Sequence, residues 1–206
     1  MNNEIKHINK QNFKKYFPPS KNTMFIVLES HGDGSCFVHS LCRALTKNYE
    51  LLTNEQQLEY GREYRSKFKN IINEQEYYMI LEKLKKGKNA ALYKENEYDY
   101  LTFKKKLGNF RTWSDLIIIA VFAIKLNLNL IFYDSKLDKL YTGVNNFDQL
   151  EKNPHLQTLF LEWENHNHFN LIAKCFKEPN KIVIQKQFLM KRQSDRKLIN
   201  NLKKYF

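Results

Sequence analysis

The stretch of residues 31–45 constrains the fold more than any other part of the chain. Gly32, Asp33 and Gly34 predict a tight turn, because glycine adopts backbone conformations that other residues avoid. Cys36 follows two residues later. Behind it, apolar residues recur at the spacing of a helix, namely Phe37, Leu41, Cys42, Ala44 and Leu45. The sequence therefore predicts a cysteine in the first turn of a helix that packs into the core.

A cysteine in that position is suited to nucleophilic chemistry. The first N–H groups of a helix have no partner within the helix, and the helix dipole favours negative charge there. A thiol at this place is biased towards thiolate, which is the form that attacks carbonyl carbons. The glycines allow the preceding loop to turn its N–H groups inward, as an oxyanion hole requires. Cys36 is therefore the candidate nucleophile, and the alternative is a small buried hydrophobe.

A cysteine nucleophile needs a base and a group that orients the base. Of the six histidines, His168 is the best placed, because it opens an apolar strand pattern with Asn170 two residues later on the same face. The amide oxygen of Asn170 would accept a hydrogen bond from the imidazole. His166, in the preceding turn, is a competing base, and His39 is expected to pack or to face solvent. Asp33 either has a structural role, in which it caps the helix or braces the oxyanion loop, or acts as an acidic partner of the catalytic pair.

Hydrophobic periodicity elsewhere predicts a mixture of helices and strands. The predicted helices are residues 54–71 behind a capping box at 53–56, 74–86 closed by Gly87, 113–126 with Thr112 as the N-cap, and the tail 186–206. The predicted strands are residues 24–29, 129–133, 140–142, 158–162, 168–173 and 182–184. A polar turn at 165–167 joins two of these strands and leads directly into His168.

Length and composition limit the class of protein. The 206 residues are 42% hydrophobic, which is enough for one domain with a buried core. Three cysteines without a CxxC spacing favour a reducing compartment over a disulfide framework or a zinc site. The sequence shows no secretory signal, and its longest apolar run, 116–124, is too short to span a bilayer. We therefore expect a soluble, cytoplasmic protein.

The net charge of +12 leaves two interpretations of the partners open. It favours a polyanion partner, but lysines spread over the whole chain also serve simply to solvate it. The tail 186–206 carries seven basic residues and one acidic residue. It is either a helix that binds nucleic acid or a membrane surface, or an amphipathic helix with a solvated basic face.

Three blocks of the sequence together resemble one family. Asp33-Gly34-Ser35-Cys36-Phe37 resembles the Asp-Gly-x-Cys signature of the ovarian tumour (OTU) family of cysteine proteases. Thr112-Trp113 and the apolar helix and strand behind it resemble that family's Trp-containing central segment. His168-Phe169-Asn170 is similar to its His-aromatic-Asn/Asp motif. The blocks follow the family's order over residues 24–173. The Lys-, Asn- and Ile-rich composition is typical of an AT-rich viral or intracellular-microbe genome, which favours a viral member acting in a host cytoplasm.

The resemblance implies a papain-like α+β fold, with a small mixed or antiparallel sheet sandwiched between helices. The resemblance covers a predicted catalytic domain at 21–177. Outside it, the sequence predicts an N-terminal arm at 1–20, and a C-terminal strand and basic helix at 178–206 that pack on or extend the same domain. The resemblance also implies a deubiquitinase without metal or cofactor, whose partners are ubiquitin, polyubiquitin chains or ubiquitin-like modifiers. In it Cys36 is the nucleophile, His168 the general base and acid, Asn170 the group that orients His168, and Asp33 part of the oxyanion loop.

Some positions depart from the family pattern. Val38 and His39 stand where an aromatic residue and an arginine are common, and residues 54–105 match nothing specific. The preference for a type of ubiquitin chain is therefore undetermined. Three alternatives remain open, which are a polyprotein-processing protease of the same fold, a catalytically silent ubiquitin-binding module, and a basic nucleic-acid-binding protein.

Overall fold

A computed structural model describes residues 5–6, 11–86, 94, 97–143, 153, 155–178 and 181–206. The chain divides into two compact units. The first, here called the sheet unit, comprises Met1–Ser30 and Asn127–Phe206, and the second, the helical unit, is His31–Leu126. Helices and strands are both present, and the predicted α+β class is confirmed. No helix among the described residues has the length and apolar character needed to cross a membrane.

The sheet unit is built on one mixed sheet. Its strands are β1 (Ile5–Lys6), β2 (Thr23–Leu28), β3 (Leu128–Asp134), β4 (Lys139–Thr142), β5 (Gln157–Glu164), β6 (His168–Glu178), β7 (Lys181–Gln185) and β8 (Phe188–Leu189). The strand order is β1-β2-β6-β5-β3-β4, with β7 paired to β6 and β8 paired to β5. Strands β3 and β5 run parallel and the other pairs are antiparallel, which makes the sheet mixed. The six predicted strands correspond to β2–β7, and β6 extends beyond its predicted end at residue 173 to Glu178.

A tight turn joins β5 to β6 and fixes their register. Asn165 and His166 adopt positive φ angles of 51° and 61°, which turn the chain at the predicted position. Glu164 then lies opposite His168, and Glu162 lies opposite Asn170. Side chains on directly paired residues of an antiparallel ladder share a face, so these four polar residues stand on one face of the hairpin.

Two helices pack on the sheet within its own unit. They are α1 (Gln11–Tyr16) and the C-terminal helix α7 (Gln193–Lys203). The aromatic residues of α1 and the buried stripe of α7 join one hydrophobic cluster with the sheet, formed by Phe13, Tyr16, Phe17, Phe25, Val27, Ile131, Tyr133, Leu140, Leu156, Phe160, Ile172, Phe188, Met190, Ile199 and Leu202. Within α7, Arg196 and Lys197 are exposed and Lys203 is half-buried, so the helix is amphipathic.

The chain's ends therefore contribute to the core of the sheet unit. Helix α1 lies within the stretch expected to be an arm, and it ends before Pro18, as proline residues predict. The boundaries at 20 and 177 stay a prediction.

The helical unit carries five α-helices among its described residues. They are α2 (Cys36–Leu45), α3 (Asn54–Ile71), α4 (Glu74–Leu84), α5 (Tyr100–Gly108) and α6 (Leu116–Lys125), with a 3₁₀ turn at Tyr49–Leu51. Thr53 and Asn73 each form a capping box with the residue three positions later, which starts α3 and α4 where the sequence predicts. Gly87, the predicted end of α4, lies outside the described residues.

The predicted start of α6 is wrong by three residues. The sequence places its N-cap at Thr112, but the helix begins at Leu116 and Asp115 is its N-cap. One carboxylate oxygen of Asp115 accepts hydrogen bonds from the N–H groups of Ile117 and Ile118, at 3.1 and 3.0 Å. The N–H of Thr112 instead donates to the carbonyl oxygen of Asn109, so this residue belongs to the preceding turn.

Candidate active site

Cys36 is the first residue of α2, as predicted, and only 4% of it is exposed. Ser35 occupies the N-cap position but makes no side-chain capping hydrogen bond. Its hydroxyl donates instead to the carbonyl oxygen of Phe110 at 3.0 Å. Cys36 therefore begins a helix whose first N–H groups receive no hydrogen bond from the Ser35 side chain. That side chain does not offset the positive end of the helix dipole.

Gly34 is required by the shape of this loop. Its φ angle is +89°, and a Cβ at this position would lie 2.6 Å from the carbonyl oxygen of Arg111. Any other residue would be strained by the φ angle and would also clash with this backbone. A Cβ on Gly32, in contrast, would meet nothing within 4 Å. Only the second of the two glycines is thus needed to bring the chain into Cys36.

Asp33 braces the loop and also joins a buried network. Its Oδ1 accepts the N–H of Ser35 at 3.0 Å and lies 3.2 Å from Nε2 of His39. The other imidazole nitrogen, Nδ1, is 2.7 Å from the hydroxyl of Tyr49. Burial raises the pKa of Asp33, but the hydrogen bonds from His39 and Ser35 outweigh it, so this pKa lies below its ordinary value. A carboxylate anion at Asp33 agrees with both of its predicted roles, as a structural brace of the loop and as an acidic partner of the catalytic pair.

His39 packs into the unit and does not face solvent. It is 1% exposed, and its ring fits against α3 because residue 61 of that helix is glycine. Next to it, His31 is hydrogen bonded to Gln57 at 2.9 Å, and its ring meets that of His39 edge to face. The two histidines of this unit therefore form part of the packing behind the loop.

The second predicted pair lies in the sheet unit. His168 is half-buried at the start of β6, and Asn170 is fully buried two residues later. Oδ1 of Asn170 accepts the N–H of Ser30 at 3.0 Å, and its Nδ2 donates to Glu162 and Glu164 at 3.0 and 3.2 Å. Three hydrogen bonds therefore fix the orientation of the Asn170 amide. The predicted hydrogen bond from His168 to Asn170 stays a prediction.

Glu162 and Glu164 are polar neighbours that the sequence analysis missed. They alternate along β5, and the antiparallel register sets them opposite Asn170 and His168. The signal was present in the sequence, because a turn at 165–167 pairs residue 164 with 168 and residue 162 with 170. A carboxylate opposite an imidazole favours the protonated form of the imidazole.

His166, the competing base, is already engaged within the sheet unit. Its Nε2 lies 2.7 Å from Oδ2 of the buried Asp134, and its ring packs against Trp163 with 4.7 Å between centroids. Asp134 in turn accepts the N–H groups of Lys136 and Leu137. His166 thus closes the ends of two hairpins together. Across the described residues, no three His, Cys, Asp or Glu side chains cluster in a way that could hold a metal ion.

The structure thus groups the four predicted site residues in two pairs. Cys36 and Asp33 stand at the start of α2 in the helical unit, and His168 and Asn170 stand at the start of β6 in the sheet unit.

Comparison with solved structures identifies the architecture. The chain superposes on an ovarian tumour (OTU) domain solved in complex with ubiquitin with a TM-score of 0.52, over 91% of this chain and 92% of that chain, at 15% identity. The chain has the OTU fold. The OTU protein of Hazara virus, solved bound to ubiquitin, aligns over 74% of this chain and 90% of its own, with a TM-score of 0.43 and 16% identity. No family model and no curated protein matches the sequence.

The OTU fold is the one that the three sequence blocks imply, so this prediction is confirmed at the level of the fold. An identity of 15% leaves few side chains in common, and function therefore has to be argued from the residues of this chain.

Proposed function

We propose that the protein is a cysteine deubiquitinase, with Cys36 as the nucleophile and His168 as the general base and acid. The observation that carries the proposal is the position of Cys36. It is the first residue of a buried helix, directly behind a loop that Gly34 and Asp33 shape, in a chain with the OTU fold. His168 and Asn170 are the other proposed site residues. Their motif accompanies the cysteine motif in the OTU family, which the sequence resembles and whose fold the chain has.

In the proposed reaction, the Cys36 thiolate attacks the carbonyl carbon of the C-terminal glycine of ubiquitin, at its isopeptide bond to a lysine. The N–H groups of Cys36 and of the loop 33–35 stabilise the resulting oxyanion. His168 donates a proton to the lysine nitrogen as the C–N bond breaks, which leaves a thioester on Cys36. His168 then takes a proton from water, the hydroxide displaces the sulfur, and ubiquitin leaves with a free carboxylate.

Asn170 and the carboxylates beside it support the role of His168. The Asn170 amide is held by hydrogen bonds to Ser30, Glu162 and Glu164, so it is a fixed group on the same strand face as the imidazole. Glu164, opposite His168, favours the imidazolium that donates the proton to the lysine nitrogen. This arrangement orients the base and stabilises its charge.

We place this activity in a reducing compartment such as the cytoplasm. Cys36, Cys42 and Cys175 form no disulfide, and a chain whose cysteines stay outside disulfides is typical of a reducing compartment. The proposed partners are ubiquitin, polyubiquitin or ubiquitin-like modifiers.

A ubiquitin probe with a C-terminal electrophile tests the nucleophile. We expect a covalent adduct with the full chain, none with Cys36→Ala, and an unchanged adduct with the matched control Cys42→Ala, which removes a thiol from the same helix. No adduct with the unaltered chain would favour a polyprotein-processing protease of the same fold.

A second comparison tests the base. His168→Ala is expected to slow hydrolysis of a ubiquitin–fluorophore substrate by about a hundredfold or more, which is the usual contribution of a general base. His166→Ala should leave the rate within about twofold, because His166 is hydrogen bonded to Asp134. If His166→Ala had the larger effect, the two histidines would exchange roles in the proposal.

A further inference from the structure

Arg65 is a buried cation that the proposed chemistry does not yet use. It lies in the middle of α3, and only 1% of it is exposed. Lysine, arginine and carboxylates are almost never fully buried unless they are paired. Within the part of the chain that the structure describes, Arg65 has no carboxylate as an ion-pair partner, so its burial needs another explanation.

The guanidinium is surrounded by neutral acceptors from two segments. Its Nε donates to the carbonyl oxygen of Leu107 at 3.1 Å, and Nη2 donates to that of Lys106 at 2.8 Å. Its Nη1 lies 2.9 Å from the carbonyl oxygen of Thr112 and 3.5 Å from that of Phe110. One side chain therefore ties together the end of α5 and the turn behind it.

The same Nη1 also reaches the loop that precedes the nucleophile. It lies 3.1 Å from Oγ of Ser35 and 3.4 Å from the carbonyl oxygen of Gly34. Ser35 is covalently bonded to Cys36 and also donates its hydroxyl to Phe110. Arg65 thus fixes both sides of the contact between the nucleophile loop and residues 106–112.

The positive charge of Arg65 interacts with three negatively charged groups of the helical unit. Burial lowers the pKa of Arg65, whereas the negative charges of Asp33, of the Cys36 thiolate and of Asp115 oppose this lowering. Nζ of Lys106 lies 2.8 Å from Oδ2 of Asp115, and Nε2 of His39 lies 3.2 Å from Oδ1 of Asp33. Of these three anions, the Cys36 thiolate belongs to the residue that directly follows Ser35, whose Oγ lies 3.1 Å from Nη1 of Arg65.

We propose that Arg65 is a positioning residue that holds the loop 33–35 in place and whose positive charge stabilises the Cys36 thiolate. The proposal rests on the proposed function only in naming Cys36 as the nucleophile. Attraction between two charges is mutual, so removing the cation has to make the thiolate less stable.

The test measures thiol reactivity without ubiquitin. The full chain is alkylated with iodoacetamide between about pH 4 and pH 9, and the modified cysteine is identified by mass spectrometry. Arg65→Met should raise the pKa of Cys36 by about one unit or more, the usual effect of losing a nearby opposite charge. Arg62→Met is the matched control, because Arg62 lies one turn earlier in α3 and its guanidinium packs on the ring of Phe110.

Cys42 reports within the same experiment whether the variant is folded. Burial raises its pKa to about 12, so it stays unmodified as long as α2 remains packed. An unchanged pKa of Cys36 in folded Arg65→Met, or an equal rise in Arg62→Met, would overturn the proposal.

Arg65→Lys tests the positioning role separately from the charge, and it replaces Arg65→Met if that variant does not fold. Lysine keeps the charge but cannot reproduce the fork of hydrogen bonds. We expect a Cys36 pKa close to that of the unaltered chain, with hydrogen exchange in residues 33–36 at least about tenfold faster, equivalent to about one net hydrogen bond. Exchange at the original rate would overturn the positioning role. If Arg65→Met shifts the thiol but no variant reacts with the ubiquitin probe, the proposed function fails and the role of Arg65 stands.

Discussion

The ring of His39 occupies the space that a side chain at Gly61 would fill. A Cβ built on Gly61 would lie 2.3 Å from Cε1 of His39, and the ring cannot move away easily, because Asp33 and Tyr49 hold both of its nitrogens. The helix α3 and the first turn of α2, which begins at Cys36, thus approach each other at a position where only glycine fits.

Gly61→Ala is therefore expected to destabilise the protein, although alanine is the better helix former. The gain in helix propensity is about 1 kcal/mol, while a forced shift of a packed side chain costs about 1–3 kcal/mol, to which the loss of the His39 hydrogen bonds adds. Urea denaturation measures the change. Gly32→Ala is the control, since its Cβ meets nothing, and it should change the free energy of unfolding by less than about 0.5 kcal/mol.

The lowered pKa of Asp33 predicts how stability depends on pH. A carboxyl group whose pKa is lower in the folded state stabilises the fold above its unfolded pKa of about 4, and this stabilisation is lost as the pH falls through the folded value. The free energy of unfolding should therefore fall less steeply below about pH 5 in Asp33→Asn than in the unaltered chain. Equal slopes would show that Asp33 titrates alike in both states.

Asn170→Asp should destabilise the protein in a way that depends on pH. Although the OTU motif includes aspartate at this place, the new carboxylate would face Glu162 and Glu164. Like charges raise the pKa of such a cluster above the unfolded values, so the folded state is favoured at acid pH and loses stability as the pH rises. Denaturation at about pH 4 and pH 7 should show the larger loss at neutral pH. Asn167→Asp, in the exposed turn, should show no such difference.

The C-terminal helix should contribute to the stability of the sheet unit. Leu202 is fully buried in the cluster with α1, so Leu202→Ala is expected to cost about 2–5 kcal/mol. Lys197→Ala, on the exposed face of the same helix, should cost less than about 0.5 kcal/mol. Equal and small effects would indicate that the helix is only loosely attached and is available to nucleic acid through its basic face.

The start of a helix could be predicted from the sequence where residues of its own first turn determine it. The capping box at Thr53, for instance, satisfies N–H groups of its own turn, so α3 begins where the sequence places it. The start of α6 was missed because Thr112 and Asp115 are both good N-caps. The choice between them depends on Arg65, which takes the carbonyl oxygen of Thr112 from a distant position in the chain.

The candidate site could be predicted in part for the same reason. Cys36 follows a glycine turn, and Asn170 shares a strand face with His168, which are both local relationships. The role proposed for Arg65 could not be predicted, because an arginine in a polar helix looks like a surface residue in the sequence. Only the tertiary structure shows the carbonyl oxygens that surround its guanidinium. The network of Asp33, His39 and Tyr49 likewise depends on tertiary packing.

The sheet pairs the two ends of the chain, and this order has a consequence for synthesis on the ribosome. Helices α2 to α4 form from contacts between neighbouring segments, so they can fold while translation continues. Strand β2, where Met24 pairs with Cys175, has to wait until β6 has left the exit tunnel. On the proposed function, a nascent chain would therefore carry the Cys36 sulfur on a formed helix before the His168 imidazole has emerged, which would delay activity until β6 is released.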